Sequence, residues 1–478
     1  MNGLRGFLKD TAAYAGFATL AFHCTATIAQ DGVLDPTFGS SGIVEIPWPA
    51  GSAEANAVAL DGNGRIVVGG YAMGSAEDAD FSLFRLSSNG SIDLSYAHDG
   101  GGFRLVDFNL AGIGGKSDDS INDVSTLSDG SVVALGEAHF GVVSSQFALA
   151  KTDANGVIDS AFGDGGTAHF GFDTFNNWDQ GMLLKVDSAA RIVVSGSVIY
   201  AVSGDPSVNY RVGIARLTSV GRLDTDFYGN GYYYAPLWGD PGTAIRARYS
   251  LVSALLFDSS QRIVVQGTFF EPYPQQIGVM RGPENGGFDP EFGGSVLGRV
   301  QLQLTNGSGG AVAALAGGKL MTSGTFGITR SDTPFLMRLN EDGSLDTDFA
   351  NAGLATATAL DSDHYAIFNF LTRTKAGGWL LAGSYGTLSN DQVIGEIMVR
   401  FDANGIPDAS FGDNGTVTLV PDANRPFTAH RAALQPDGKL IVAGSFLNSD
   451  DPSTPHFAVV RILADYNTMF VNGFEAAP

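Results

Sequence analysis

Leu34-Asp35-Pro36-Thr37-Phe38-Gly39 begins an acidic-aromatic signature that occurs seven times along the chain. Its Asp recurs at Asp93, Asp159, Asp224, Asp289, Asp346 and Asp408, each followed three residues later by Phe or Tyr. Successive signatures lie 57 to 66 residues apart. A fixed period of this kind means that one supersecondary unit is stacked repeatedly, because a single unit cannot bury its apolar face alone.

Three further landmarks keep a constant order around the signature. A short apolar strand such as Ala57-Val58-Ala59-Leu60 is followed by the polar turn Asp61-Gly62-Asn63-Gly64 and a second strand, Arg65 to Gly70. The second strand recurs at Ser131 to Gly136, Arg191 to Gly196, Arg262 to Gly267, Lys319 to Gly324, Trp379 to Gly383 and Lys439 to Gly444. A third strand ends in a cation (Arg85, Lys151, Arg216, Arg281, Arg338, Arg400, Arg461), and a fourth follows the signature, as in Phe103-Arg104-Leu105-Val106. Four short antiparallel strands make a sheet too small to stand alone, so seven pack radially. The fold class is all-β, a seven-bladed propeller of four-stranded antiparallel blades.

The chain ends favour a ring over a linear solenoid. The last unit has three strands, around Ala432 to Gln435, Lys439 to Gly444 and Phe457 to Ile462, and then stops. The first unit begins with the missing parts, Leu34 to Gly42 and Ile43-Val44-Glu45-Ile46. Closure of the last blade by the N-terminal strand leaves no open sheet edge. The cation precedes the signature Asp by eight residues in six units, whereas Arg461 has Met469 at that offset. Its partner is therefore expected to be Asp35, across the closure. The seven pairs read as exposed structural ion pairs, each contributing about 0–1 kcal/mol. The seven signature aromatics read as plugs between blades, each contributing roughly 1.5–3 kcal/mol by burial.

These residues resemble the delta-60 repeat family, whose unit carries an LDxxFGxxG element followed by ALQPDGKIVVAG-like and FALARL-like segments. Ala433-Leu434-Gln435-Pro436-Asp437-Gly438-Lys439-Leu440-Ile441-Val442-Ala443-Gly444 matches it most closely, and the resemblance covers residues 32–465. Tyr96-Ala97 and Phe227-Tyr228 depart from the Phe-Gly pattern, and Arg281-Gly282 departs from Arg-Leu. The resemblance implies a secreted or surface propeller and transfers no catalytic residue.

The 64 glycines and the short Val/Ile/Leu/Phe runs fit an all-β chain of 478 residues. The formal charge of −23 disfavours nucleic acid as a partner, since phosphates demand a basic surface. Residues 1–29 read as a signal peptide: Arg5 and Lys9 precede an apolar stretch around Ala15 to Ala21, and Thr27-Ile28-Ala29 supplies a small-x-small cleavage site. The apolar stretch falls short of the ~20 residues that span a bilayer, so no membrane insertion is expected after its removal. The organisation is then signal peptide 1–29, propeller 30–465 and tail 466–478, in a monomer that is secreted, held at the cell surface or periplasmic. The only cysteine, Cys24, lies in the signal segment.

Motifs that carry chemistry are sparse. The histidines are scattered without metal-ligand spacing, and no G-x-S-x-G elbow occurs. Turns such as Asp61 to Gly64, Asp153 to Gly156 and Asp402 to Gly405 read as tight hairpin turns, not calcium loops. Loops from second to third strand, and from fourth strand to the next blade, vary in length; they share one face, the expected binding face. Two patches are expected there. One is acidic (Glu77, Asp78, Asp80, Asp118, Asp119, Asp361, Asp363, Asp450, Asp451), a place for Ca2+ or a cationic partner although no cofactor is required. The other is aromatic (Tyr233, Trp238, Tyr249, Phe270, Tyr273) and suits a protein or glycan ligand. The reading is a non-enzymatic binding or scaffold propeller; the alternative is a hydrolase or lyase with polar groups converging at the channel mouth.

Overall fold

The computed structural model describes residues 31–465 except 50, 75–77, 98–100, 109, 111–117, 141–143, 173–177, 201–208, 238–248, 271–273, 295–296, 328–332, 359 and 449–453. The proposed signal peptide and tail lie outside the described residues, as do Glu77, His98, Trp238, Tyr273, Asp450 and Asp451.

Seven antiparallel sheets form a seven-bladed propeller. Blade 1 runs from the inner strand Ala53–Leu60 through Ile66–Met73 and Ala79–Leu86 to the outer strand Phe103–Val106. Blades 2 to 6 repeat this order, with inner strands Asp119–Thr126, Gln180–Val186, Tyr249–Phe257, Ser308–Ala314 and His364–Arg373. Blade 7 has Phe427–Leu434, Lys439–Leu447 and Pro455–Leu463 from the C-terminal end, completed by Val33–Leu34 and Ile43–Ile46 from the N-terminal end. Val33 pairs with Leu463, and Ile43 with Val460, so the ring closes as the sequence predicts. Inner strands of neighbouring blades lie side by side around a central channel. The apolar core lies between blades, in clusters that each draw on two adjacent sheets.

Every third-strand cation meets its signature Asp. The distances are 2.8 Å for Arg85–Asp93, 2.9 Å for Lys151–Asp159, 2.8 Å for Arg216–Asp224, 2.7 Å for Arg281–Asp289, 2.7 Å for Arg338–Asp346 and 2.8 Å for Arg400–Asp408. Arg461 meets Asp35 at 2.8 Å across the closure. The expectation of exposed pairs is corrected: side-chain exposure is only 1–6% for Arg85, Arg216, Arg281, Arg400 and Arg461.

The signature aromatic and the next blade provide the cover. In six blades the guanidinium lies 4.4–4.9 Å from the ring centroid of the signature Phe or Tyr. Arg85 and Arg216 also donate to backbone carbonyls of the following blade, Ala154 at 2.5 Å and Glu284 at 2.6 Å. The aromatics themselves are fully buried, 0% exposed at Phe38, Tyr96, Phe162, Phe227, Phe292 and Phe411. Six of the seven rings rest on a turn glycine of the next blade: a Cβ at Gly156 would lie 2.8 Å from Tyr96, and one at Gly405 2.7 Å from Phe349. Gly156 and Gly405 also have φ of +77° and +82°, so conformation and space both demand glycine.

Removing one partner of a buried pair leaves an uncompensated charge, a cost of about 3–5 kcal/mol. Arg461→Ala is therefore expected to lower unfolding stability by about that amount. Arg338→Ala, whose side chain is 25% exposed, is expected to cost clearly less; denaturant unfolding measures both.

The acidic groups fall into two opposed classes. Burial pushes Asp35, Asp93 and Asp408 up, but hydroxyl donors from Thr37, Ser95 and Ser410 together with Arg461, Arg85 and Arg400 hold them below the usual range. Their stabilisation is present above the ordinary carboxylate range near pH ~4 and is lost as pH falls through the lowered values. Asp179 is pushed up to about 6 by burial, against which the backbone N–H groups of Phe172 and Ile199 are insufficient. Burial also raises Glu396 well above its ordinary value. These two gain stability as pH falls from neutrality, until the unfolded chain protonates too. The melting temperature is expected to peak near pH ~5 and to drop below pH ~4. A melting temperature that only rises from pH 4 to 8 would contradict this assignment.

Candidate binding face and central channel

Antiparallel blades send alternate connections to opposite faces. The turns between first and second strands are short and alike: 61–65, 127–131, 187–191, 258–262, 315–319, 374–378 and 435–438. In these turns Asp61, Asp187 and Asp258 accept backbone N–H groups and pair with the Arg four residues later at 2.6 Å. On the other face the connections range from 388–391 to 201–208 between second and third strands, and from 303–307 to 236–248 between blades. All the variable loops therefore share one face.

The aromatic patch divides into separate parts. Tyr233 lies on the outer strand of blade 3, only 5% exposed, packed against Phe227, Tyr228 and Phe288. Tyr249 and Phe270 come together at the variable-loop end of blade 4, stacked at 4.8 Å with an interplanar angle of 14°. Tyr210 of blade 3, which the sequence reading did not include, also stacks with Tyr249, at 5.2 Å. All three rings are partly exposed.

The acidic patch also divides. Asp80 and Asp119 come together with Asp107, a residue absent from the sequence-derived set, at the blade 1–2 boundary. Asp118 accepts the Ala79 N–H there at 3.0 Å, and Asp78 acts electrostatically on Asp80. Asp361 and Asp363 sit apart, before blade 6, where Asp361 pairs with His364 at 2.6 Å.

The channel wall has a feature that strand alternation conceals. Every inner strand carries a β-bulge, with register shifts at Ala55/Ala57, Ile121/Asp123, Gly181/Leu183, Val252/Ala254, Gly309/Val312, Phe368/Phe370 and Ala429/Arg431. The extra residue is Asn56, Asn122, Met182, Ser253, Asn369 or His430 in six of the blades, and Gly310 with Ala311 in blade 5. Opposite each bulge stands the glycine of the second strand; a Cβ at Gly70, Gly136 or Gly444 would collide with the carbonyl oxygen of Glu54, Ser120 or Thr428. A glycine inside a strand is the sequence signal for this bulge.

The bulge amides sew the inner ring. Asn56 donates to the Ile121 carbonyl and Asn122 to the Gly181 carbonyl, both at 3.0 Å, and Asn369 donates to the His430 carbonyl. They are structural groups that also face the channel.

Toward the variable-loop face the channel holds a cavity of about 470 Å³, bordered by Glu54, Met182, Ile367 and His430. His430 Nε2 stands 3.8 Å from the Glu54 carboxylate, and the Ser445 hydroxyl donates to that carboxylate at 3.0 Å. Burial pushes Glu54 up, but His430 and Ser445 outweigh it and hold the carboxyl below its usual range. Toward the short-turn face lie Asp123, Lys185 and Arg431. The Arg431 guanidinium reaches across the axis to the Met182 carbonyl of blade 3 at 3.5 Å. One carboxylate and one imidazole thus converge from blades 1 and 7, with amides around them.

Comparison with known proteins supports the architecture. The family described as "Domain of unknown function (DUF5122) beta-propeller" matches residues 62–96, 127–162, 318–349 and 435–465. The first three segments run from the short turn through the second and third strands to the signature aromatic, and the fourth stops after the third strand of blade 7, whose remaining strands come from the N-terminal end. The chain thus carries the repeat of a propeller family. No curated protein matches the chain.

Among solved structures, a protein of unknown function from Dyadobacter fermentans shares 13% identity over 90% of this chain and 99% of its own, with a TM-score of 0.40. A polysaccharide lyase, an ulvan lyase, shares 13% over 88% and 96%, also at 0.40. Sqt1 from Chaetomium thermophilum shares 12% over 90% and 98%, at 0.39.

Substituting Gly136→Ala forces a methyl group against the Ser120 carbonyl, an overpacking cost of about 1–3 kcal/mol. Asn122→Ala removes one interblade hydrogen bond and is expected to cost about 1 kcal/mol. Thermal unfolding of the two variants checks the order.

Proposed function

We propose that this chain is an exported, non-enzymatic propeller of the delta-60 kind that captures a glycan or protein through its variable-loop face. One observation carries the reading: the Tyr210–Tyr249–Phe270 stack, built from two blades and left partly exposed on the face where every loop of irregular length emerges. Stacked rings with an open edge suit the apolar face of a sugar or a side chain of a protein partner. The export signal at residues 1–29, the acidic surface and the resemblance of residues 32–465 to secreted repeat proteins support the same reading.

A second reading, a lyase or hydrolase acting at the channel mouth, is favoured by Glu54 and His430, an acid and an imidazole 3.8 Å apart beside a cavity. The two readings separate experimentally. Glycan-array and surface pull-down measurements on the secreted chain are expected to show binding that falls at least ~10-fold in Tyr249→Ala and Phe270→Ala, as for loss of central aromatic anchors. The same binding is expected to survive His430→Ala, with no polysaccharide cleaved by the native chain. Cleavage lost in His430→Ala would transfer the function to the channel.

A further inference from the structure

We propose that a hard divalent cation of Ca2+ size binds between blades 1 and 2, held by the carboxylates of Asp80, Asp107 and Asp119. One oxygen from each lies within 4.8 Å of the others. Asp80 belongs to the third strand of blade 1, Asp107 follows its outer strand, and Asp119 is the first residue of the inner strand of blade 2. The three carboxylates therefore join two blades on the variable-loop face.

Asp80 points most directly to a ligand. It is only 7% exposed, and among the described residues no hydrogen-bond donor or cation reaches it; its electrostatic neighbours are Asp107 and Asp78, which repel it. A buried carboxylate surrounded by carboxylates is unfavourable unless a positive charge joins it.

The repeat supplies an internal control. Asp119 accepts the Phe108 and His139 N–H groups at 3.1 and 3.2 Å, and Asp179 accepts the Phe172 and Ile199 N–H groups at 2.9 and 3.4 Å in the next blade. A capping acid is thus sufficient for the fold at this position. Register places Asp80 opposite Ala72 and Gln146 opposite Ala138, making Gln146 the blade 2 equivalent of Asp80. Gly171 follows the outer strand of blade 2 as Asp107 follows that of blade 1. Two carboxylates have been added at one boundary and not at its neighbour, around a cap present in both.

The donor set is oxygen only, which selects a hard ion over Zn2+. Three oxygens within 4.8 Å of one another can all lie about 2.3–2.6 Å from one Ca2+, and two blades supplying them suit the flexible geometry of Ca2+ better than the strict octahedron of Mg2+. The proposal is independent of which ligand the aromatic stack binds.

The test is titration of CaCl2 into the EDTA-stripped full chain, read by calorimetry and by thermal unfolding. One saturable Ca2+ site per chain is expected, with the melting temperature raised by at least ~3 °C in millimolar Ca2+. Asp80→Asn and Asp107→Asn are expected to abolish both effects, and Asp80→Asn to melt higher than the native chain in EDTA, because a like charge has been removed. Asp179→Asn is expected to keep the Ca2+ response. Absence of saturable binding of Ca2+, Mg2+ or Mn2+ at millimolar concentration would overturn the proposal. So would a Ca2+ response that survives in both Asp80→Asn and Asp107→Asn.

Discussion

The ring depends on one cation per blade, an arginine in six of the seven. At the end of the third strand its guanidinium satisfies three demands at once: a charge-assisted contact with the signature Asp, a face for the signature aromatic, and in several blades a donor to the backbone of the next blade. A planar, permanently charged group with five donors can do this, whereas an ammonium offers a point charge without a plane. Blade 2 retains the ion pair with Lys151. The contact stabilises through combination: the ring shields the charge pair from water, and the pair fixes the ring against the neighbouring turn.

Closure uses the same parts across the chain ends. Asp35 and Phe38 from the N-terminal end meet Arg461 from the C-terminal end, and Lys439 adds a second cation at 3.3 Å. Arg400 reaches Asp31 at 2.6 Å, and Arg425 grips Glu45 with two hydrogen bonds of 2.9 Å. Each of these joins the N-terminal segment to residues more than 350 positions away. Blade 7 is thus complete only when the two ends of the described chain meet.

Much of this architecture was legible because the repeat is regular at its periphery. The outer strands Ile43–Ile46 and Phe103–Val106 are legible with their observed bounds, and the eight-residue offset, broken only at Arg461, points to its contact with Asp35. The inner strands were less legible. Ala57 to Leu60 is only the second half of Ala53–Leu60, because the bulge at Asn56 breaks the period-two alternation that marks a strand. The glycines ending each second-strand motif were the available clue, since a strand-interior glycine marks a close approach of backbone. The burial of the arginines could not be read from spacing, as the cover comes from a different blade.

The candidate sites lie where the sevenfold rule is broken, and their legibility follows from that. Tyr249 and Phe270 stand close in sequence around one hairpin and were grouped correctly, while Tyr233 alternates to the buried side of its strand and Tyr210 joins from the preceding blade. Glu54 and His430 are neighbours only because the ring closes, so no local pattern could pair them. Hydrogen–deuterium exchange of the N-terminal segment tests the closed ring most directly. The account predicts that the amides of Ile43–Ile46 bonded to the paired residues Phe457–Val460 exchange far more slowly than those of an unstructured peptide. Exchange of Ile43–Ile46 at the rate of an unstructured peptide, with Pro455–Leu463 still protected, would contradict it.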